Sequence, residues 1–124
     1  MPEEKNVLLI GLDPAVVEYA KWPGLTPEKL QRGLQRDVDA LKAQGIDATL
    51  CFIDHGETAE ATVRAALAAT PPDCVLIGAG VRTDPDEFLM FERLVNVLRE
   101  AAPGCPICFN TGPTDSVDAV RRHI

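Results

Sequence analysis

The chain has 124 residues, an apolar share of 46%, only 5% aromatic residues and a formal net charge of −7, so one core filled by Val, Leu, Ile and Ala is expected. The acidic balance speaks against nucleic acid, because phosphate backbones are held by clustered Lys and Arg and only RRHI at residues 121–124 is locally basic. No apolar run approaches the ~20 residues of a membrane span, and MPEEKN is an acidic start rather than a signal peptide; a soluble cytoplasmic protein is expected.

NVLLIGL at residues 6–12 is a nearly continuous apolar run, the pattern of a strand buried on both faces. DPAVVEYA then starts a short helix or turn, with Asp13 as N-cap and Pro14 at its first position, and KWPG breaks it. TPEKLQRGLQRDVDALKAQG is the strongest helix, capped by Thr26, started by Pro27 and ended by Gly45. Leu30, Leu34, Val38 and Leu41 form its apolar stripe.

IDATLCFI at residues 46–53 is the second strand, and GETAEATVRAALAAT is an Ala-rich helix stopped by Pro71 and Pro72. DCVLIGA is the third strand, with GAGVR as the loop at its end. DPDEFLMFERLVNVLREAA is the third main helix, with Asp84 and Pro85 at its start. Phe88, Phe91, Leu94, Val95 and Leu98 supply its core face, and Leu89, Met90 and Val97 widen the apolar surface beyond one stripe. CPICFN is the fourth strand, and TDSVDAVRRHI a terminal helix capped by Thr114. Fourfold strand–helix alternation predicts one α/β domain over residues 1–124, with a parallel sheet and helices on both faces. Residues 13–25 are an insertion between the first strand and the first long helix.

PDCVLIGAGVRTDPDEFLMFERLVNVLREAAPGCPICFNTG, residues 72–112, resembles the central third of a response-regulator receiver domain, and NVLLIGLDP resembles that family's first strand and acidic turn. The resemblance implies a flavodoxin-like fold: a doubly wound three-layer sandwich with a four-stranded parallel sheet in the order 2-1-3-4. It also exposes departures. The family's phosphoacceptor aspartate falls on Gly78, and its paired acidic metal ligands fall near Gly11, Leu12 and Asp13, which leaves one carboxylate. One carboxylate is a poor Mg²⁺ site, so no metal is expected. The switch Thr/Ser matches Thr111, and the fifth strand with its lysine has no counterpart. The chain is not expected to work as a phosphorelay receiver.

In open α/β sheets ligands bind beyond the carboxyl ends of the strands. Those ends supply Asp13, Asp54, His55, Gly78, Gly80, Arg82, Asn110 and Thr111 as candidate ligand-binding residues. The GAG backbone can approach a ligand closely, and the Arg82 guanidinium suits a carboxylate or phosphate, so a small anionic ligand is one expectation. Each residue also has a plain role: Asp13 as helix cap, His55 as a solvated loop residue, Gly78 and Gly80 as a turn with positive φ, Arg82 as a surface ion pair with Asp84 or Asp86, and Asn110 with Thr111 closing a turn. GAG is not G-x-G-x-x-G, and no P-loop, nucleophile elbow or paired catalytic carboxylates appear, so no cofactor is predicted.

Cys105 and Cys108 have C-x-x-C spacing, but they open a strand, where residues three apart point to opposite faces. With Cys51 and Cys74 isolated, buried structural thiols are expected over a redox or zinc site. The segment VVEYAKWPGL holds the chain's one Tyr and one Trp. It suits a lid over the ligand site, or a homodimer contact made by Tyr19, Trp22 and the Leu89, Met90 and Val97 face of the third helix. The functional expectation is a non-catalytic module that binds a ligand or partner. The alternatives are a small enzyme acting on a carboxylate or phosphate metabolite through Asp54, His55 and Arg82, and a thiol protein using Cys105 and Cys108.

Overall fold

The computed structural model describes residues 5–112 and 114–124; the acidic start read at residues 1–4 lies outside them. Four parallel strands, β1 (Lys5–Leu12), β2 (Ile46–Ile53), β3 (Cys74–Ile77) and β4 (Ile107–Phe109), form one sheet in the order β2-β1-β3-β4. Five helices accompany them: α1 (Pro27–Ala43), α2 (Ala59–Ala69), α3 (Ala79–Arg82), α4 (Phe88–Ala101) and α5 (Ser116–Arg121). The result is the expected doubly wound three-layer sandwich. Among the described residues no helix is long and apolar enough to cross a membrane.

The strands divide their side chains between two cores because successive residues point to opposite faces. Leu8, Ile10, Val75 and Ile77 pack against α2 and α4, whereas Val7, Leu9, Cys74 and Leu76 face α1 and α5. Both central strands are thus buried on both sides, which is why they read as unbroken apolar runs. The register sets Leu9 beside Leu50 and Leu76, and Gly11 beside Phe52. The Thr26 hydroxyl caps α1 by accepting the Lys29 N–H at 3.2 Å, and Gly45 turns the chain out at φ 76°.

Several local expectations are corrected. GAGVR is not a loop but runs into α3. The cap of α5 is Asp115, not Thr114, and its carboxylate turns back to accept the N–H groups of Thr111 and Gly112 and the Thr111 hydroxyl. Of the core face expected on α4, Leu94 and Leu98 are buried and Phe91 and Val95 pack against the core, but Phe88 does not. Met90 (7% exposed) and Val97 (3%) belong to the core with Leu94 and Leu98, while Phe88 (59%) and Leu89 (74%) face outward. A 3-10 turn, Pro85–Glu87, precedes the α-helix, and the buried Glu87 extends the inward row of Met90 and Leu94 by one turn. Met90 and Val97 are buried in the chain's own core, so of the three residues expected to form a dimer face on this helix only Leu89 is exposed, and Phe88, expected in the core, stands outside it.

Candidate functional site

On the face that carries α1 and α5, the sheet runs out of side chains before the strands end. Along β1 this face shows Val7, Leu9 and then Gly11; leaving β3 it shows Cys74, Leu76 and then Gly78. Across from them, α1 presents Gly33. A Cβ added at Gly11 or Gly33 would meet nothing within 4 Å, and at Gly78 only the Ile10 carbonyl oxygen at 3.4 Å. The consequence is a cavity of about 420 Å³ at the carboxyl ends of the strands. Its floor is Leu9, Leu50, Phe52 and Leu76, its wall is Leu30, Gly33 and Leu34 of α1, and its roof is Val17, Trp22 and Leu25.

The glycines act through volume and not through backbone freedom. Gly78 is extended at φ −66°, ψ 154°, and Gly80 lies within α3; neither is among the glycines with positive φ, which are Gly24, Gly45 and Gly56. The turn with positive φ expected at Gly78 and Gly80 is therefore absent. The α1 stripe is corrected as well: Leu41 is fully buried, but Leu30 and Leu34 line the cavity instead of filling a core.

Of the eight residues read from the sequence, Gly78, Gly80, Asn110 and Thr111 line the cavity. The other four are engaged elsewhere. One oxygen of Asp13 accepts the Ala15 N–H. Asp54 accepts the N–H groups of Gly56 and Thr58 and the Thr58 hydroxyl, and these bonds, the hydroxyl foremost, pull its pKa down to about 2. Arg82 donates to the Asn110 carbonyl at 2.6 Å, lies 5.8 Å from the centre of the Phe109 ring, and does not line the cavity. The Gly78 and Ala79 amides are bonded to the Ile10 carbonyl and to Asn110 Oδ1. An anion in the cavity would find neither the guanidinium nor these amides.

His55 holds the roof. Its Nε2 is 2.6 Å from the Val16 carbonyl oxygen, and its Nδ1 bonds the buried Glu87 carboxylate. A carbonyl only accepts, so Nε2 must carry a proton, and the carboxylate favours a second on Nδ1. The Glu87 bond first and the Val16 bond second raise the His55 pKa above its ordinary 6.5. Beside this clamp, Lys21 reaches Asp84 at 3.2 Å and Asp86 at 2.5 Å, and the Tyr19 hydroxyl donates to the Pro14 carbonyl at 2.6 Å. Since the folded-state pKa is raised, the clamp is complete below pH 6.5 and is lost as pH rises through the raised value. Hydrogen-exchange protection across residues 16–25 is expected to fall over that range, and His55→Gln is expected to abolish the pH dependence.

Asp37, missed in the sequence, is the carboxylate of the cavity. It is 9% exposed, and its Oδ2 accepts the Ser116 hydroxyl at 2.9 Å. Ser116 in turn accepts Asn110 Nδ2–H at 2.9 Å. Burial pushes the Asp37 carboxyl up, the Ser116 hydroxyl pulls it partly back, and the nearby Asp115 charge adds a smaller push upward. A signal was available. Leu30, Leu34, residue 37 and Leu41 follow helical spacing, so an aspartate stands where the stripe calls for an apolar side chain. Gly33, a glycine inside a helix, was a second.

The cysteines are all free thiols. Cys108 faces the α1 side and Cys105 packs on the α2 and α4 side, so the C-x-x-C pair is split across the sheet. The close pair is Cys74 and Cys108, with sulfurs 3.3 Å apart and both buried. Among the described residues no group of three or more His, Cys, Asp or Glu side chains is placed to hold a metal. Comparison with known proteins finds no family model, curated protein or solved structure that matches this chain.

Proposed function

We propose that the protein is a non-catalytic binding module, built on a receiver-like scaffold, for a small molecule with a largely apolar body. The observation that carries this reading is the cavity of about 420 Å³ emptied by Gly11, Gly33 and Gly78. Its volume falls within the ~300–1,000 Å³ typical of ligand pockets, and apolar walls with a few polar groups at one end are their usual make-up. The position of a receiver's phosphoacceptor holds a glycine, and what a reactive side chain would occupy is space for a ligand. The enzyme reading loses support, because Asp54, His55 and Arg82 are bonded away from the cavity. The segment over residues 13–25 is read as a roof, since Trp22 lines the cavity.

Titration with Nile red, a neutral apolar dye, tests the reading. Wild-type protein is expected to enhance the dye's emission in a saturable way. Gly33→Leu, whose side chain would grow into the open space, should abolish that response without loss of stability, because replacing a helix-interior glycine favours the helix by roughly 0.5–1 kcal/mol. A dye response absent from the wild type, or unchanged in a folded Gly33→Leu protein, would refute the ligand site.

A further inference from the structure

We propose that Asp37 selects the ligand, so that the molecule held in the cavity presents a hydrogen-bond-donating end, an amine above all, on its apolar body. This rests on the cavity being a ligand site and adds the chemistry of its polar end.

The geometry fixes the direction of the polar chain. The Ala79 N–H can only donate, so the Asn110 atom 2.9 Å from it is the carbonyl oxygen Oδ1. The amide nitrogen Nδ2 must then face Ser116 and donate to its Oγ. The Ser116 proton is left for Asp37 Oδ2. Asp37 is the accepting end of the chain, and its second oxygen, Oδ1, has no hydrogen-bond partner among the described residues. Among those residues Arg82 Nε is the sealed side-chain nitrogen or oxygen without a partner. Asp37 Oδ1 is therefore not sealed, and the open space that Asp37 lines is the cavity.

The other polar side chains around it do not compete for the role. The Thr83 hydroxyl donates to the Ala79 carbonyl, and the Thr111 hydroxyl donates to Asp115. A carboxylate or phosphate end would face a like charge between apolar walls. An ammonium would complete a charge-assisted bond with an oxygen that already lacks a donor.

Three probes share one apolar body and differ at the end: 4-phenylbutylamine, 4-phenylbutanol and 4-phenylbutyrate. Trp22, the chain's one tryptophan, lines the cavity and reports each by its emission at pH 7. The amine is expected to bind at least about tenfold more tightly than the carboxylate, with the alcohol between them. Asp37→Asn keeps the shape and an oxygen for the Ser116 hydroxyl, and should bring amine and carboxylate within about threefold of each other. Asp37→Leu, with an apolar side chain of similar size, is the second variant should the first not fold. Equal affinities in the wild type, or an amine preference that survives both substitutions, would overturn selection by Asp37 while leaving the cavity a ligand site. Emission that no probe moves, with calorimetry equally silent, would overturn the ligand site and this inference with it.

Discussion

Asn110→Asp is expected to destabilise the fold by roughly 3 kcal/mol or more at pH 7, as breaking a buried charge network does. The reason is the single proton on Ser116. In the native chain it goes to Asp37 Oδ2, and Ser116 Oγ itself accepts from Asn110 Nδ2. Aspartate at position 110 would turn that donor into an acceptor, so two carboxylate oxygens would face one hydroxyl and one of those oxygens would lack a donor. The site is buried, and Arg82 is already held by the position's own carbonyl. Burial and the Asp37 charge would raise the folded-state pKa of the new carboxyl above its ordinary value of ~3.9. A raised folded-state pKa means that stability is present at low pH and lost as pH rises through it. Urea unfolding at pH 5 and pH 7 should therefore show a deficit that shrinks on acidification. Asn110→Ala, which leaves the Ala79 N–H unpaired but adds no charge, should cost about 1–3 kcal/mol with little dependence on pH. An Asn110→Asp protein as stable as wild type at pH 7 would mean that the chain of bonds does not run as described.

The fold was legible because its main signals are local. Period-2 burial on both faces made β1 and β3 continuous apolar runs, and Thr26, Pro27 and Gly45 punctuated α1 as capping chemistry requires. The site was legible only by position. Placing it at the strand ends followed from the architecture, and Gly78, Gly80, Asn110 and Thr111 do line the cavity. Which side chains would turn toward it was not legible, because that depends on partners distant in the chain. Arg82 is drawn to the Asn110 carbonyl 28 residues away, and His55 to Glu87, 32 residues away. The apolar pattern of α4 is wide enough to offer two overlapping faces, and packing alone decides that Met90 and Val97 turn inward while Phe88 turns out. The cavity itself is written as missing side chains, and three glycines far apart in the chain, in β1, in α1 and just past β3, become one space only when the register of β1 and β3 and the placing of α1 are known.

Two leucines of α1 should therefore respond very differently to truncation. Leu41 is fully buried with Val7, Leu9 and Ala119 around it, and Leu41→Ala should cost about 2–5 kcal/mol through lost transfer energy and the hole left behind. Leu34 sits two turns earlier on the same helix, half-buried against open space, so Leu34→Ala removes few contacts and should cost about 1 kcal/mol or less. Helix propensity cannot produce the difference, since the same leucine-to-alanine change is made inside one helix. Chemical denaturation with unchanged m-values would give both numbers on a common footing. A large cost at both positions would mean that the first half of α1 closes onto the sheet in solution and that the cavity is filled by the chain's own leucines. The expected contrast, with Leu34→Ala near wild type and Leu41→Ala severely weakened, places the anchoring of α1 at its carboxyl end. The amino-terminal half is then held off the sheet, with Thr26 and Pro27 fixing where it begins and Asp37 marking where the packed core gives way to the space the glycines leave.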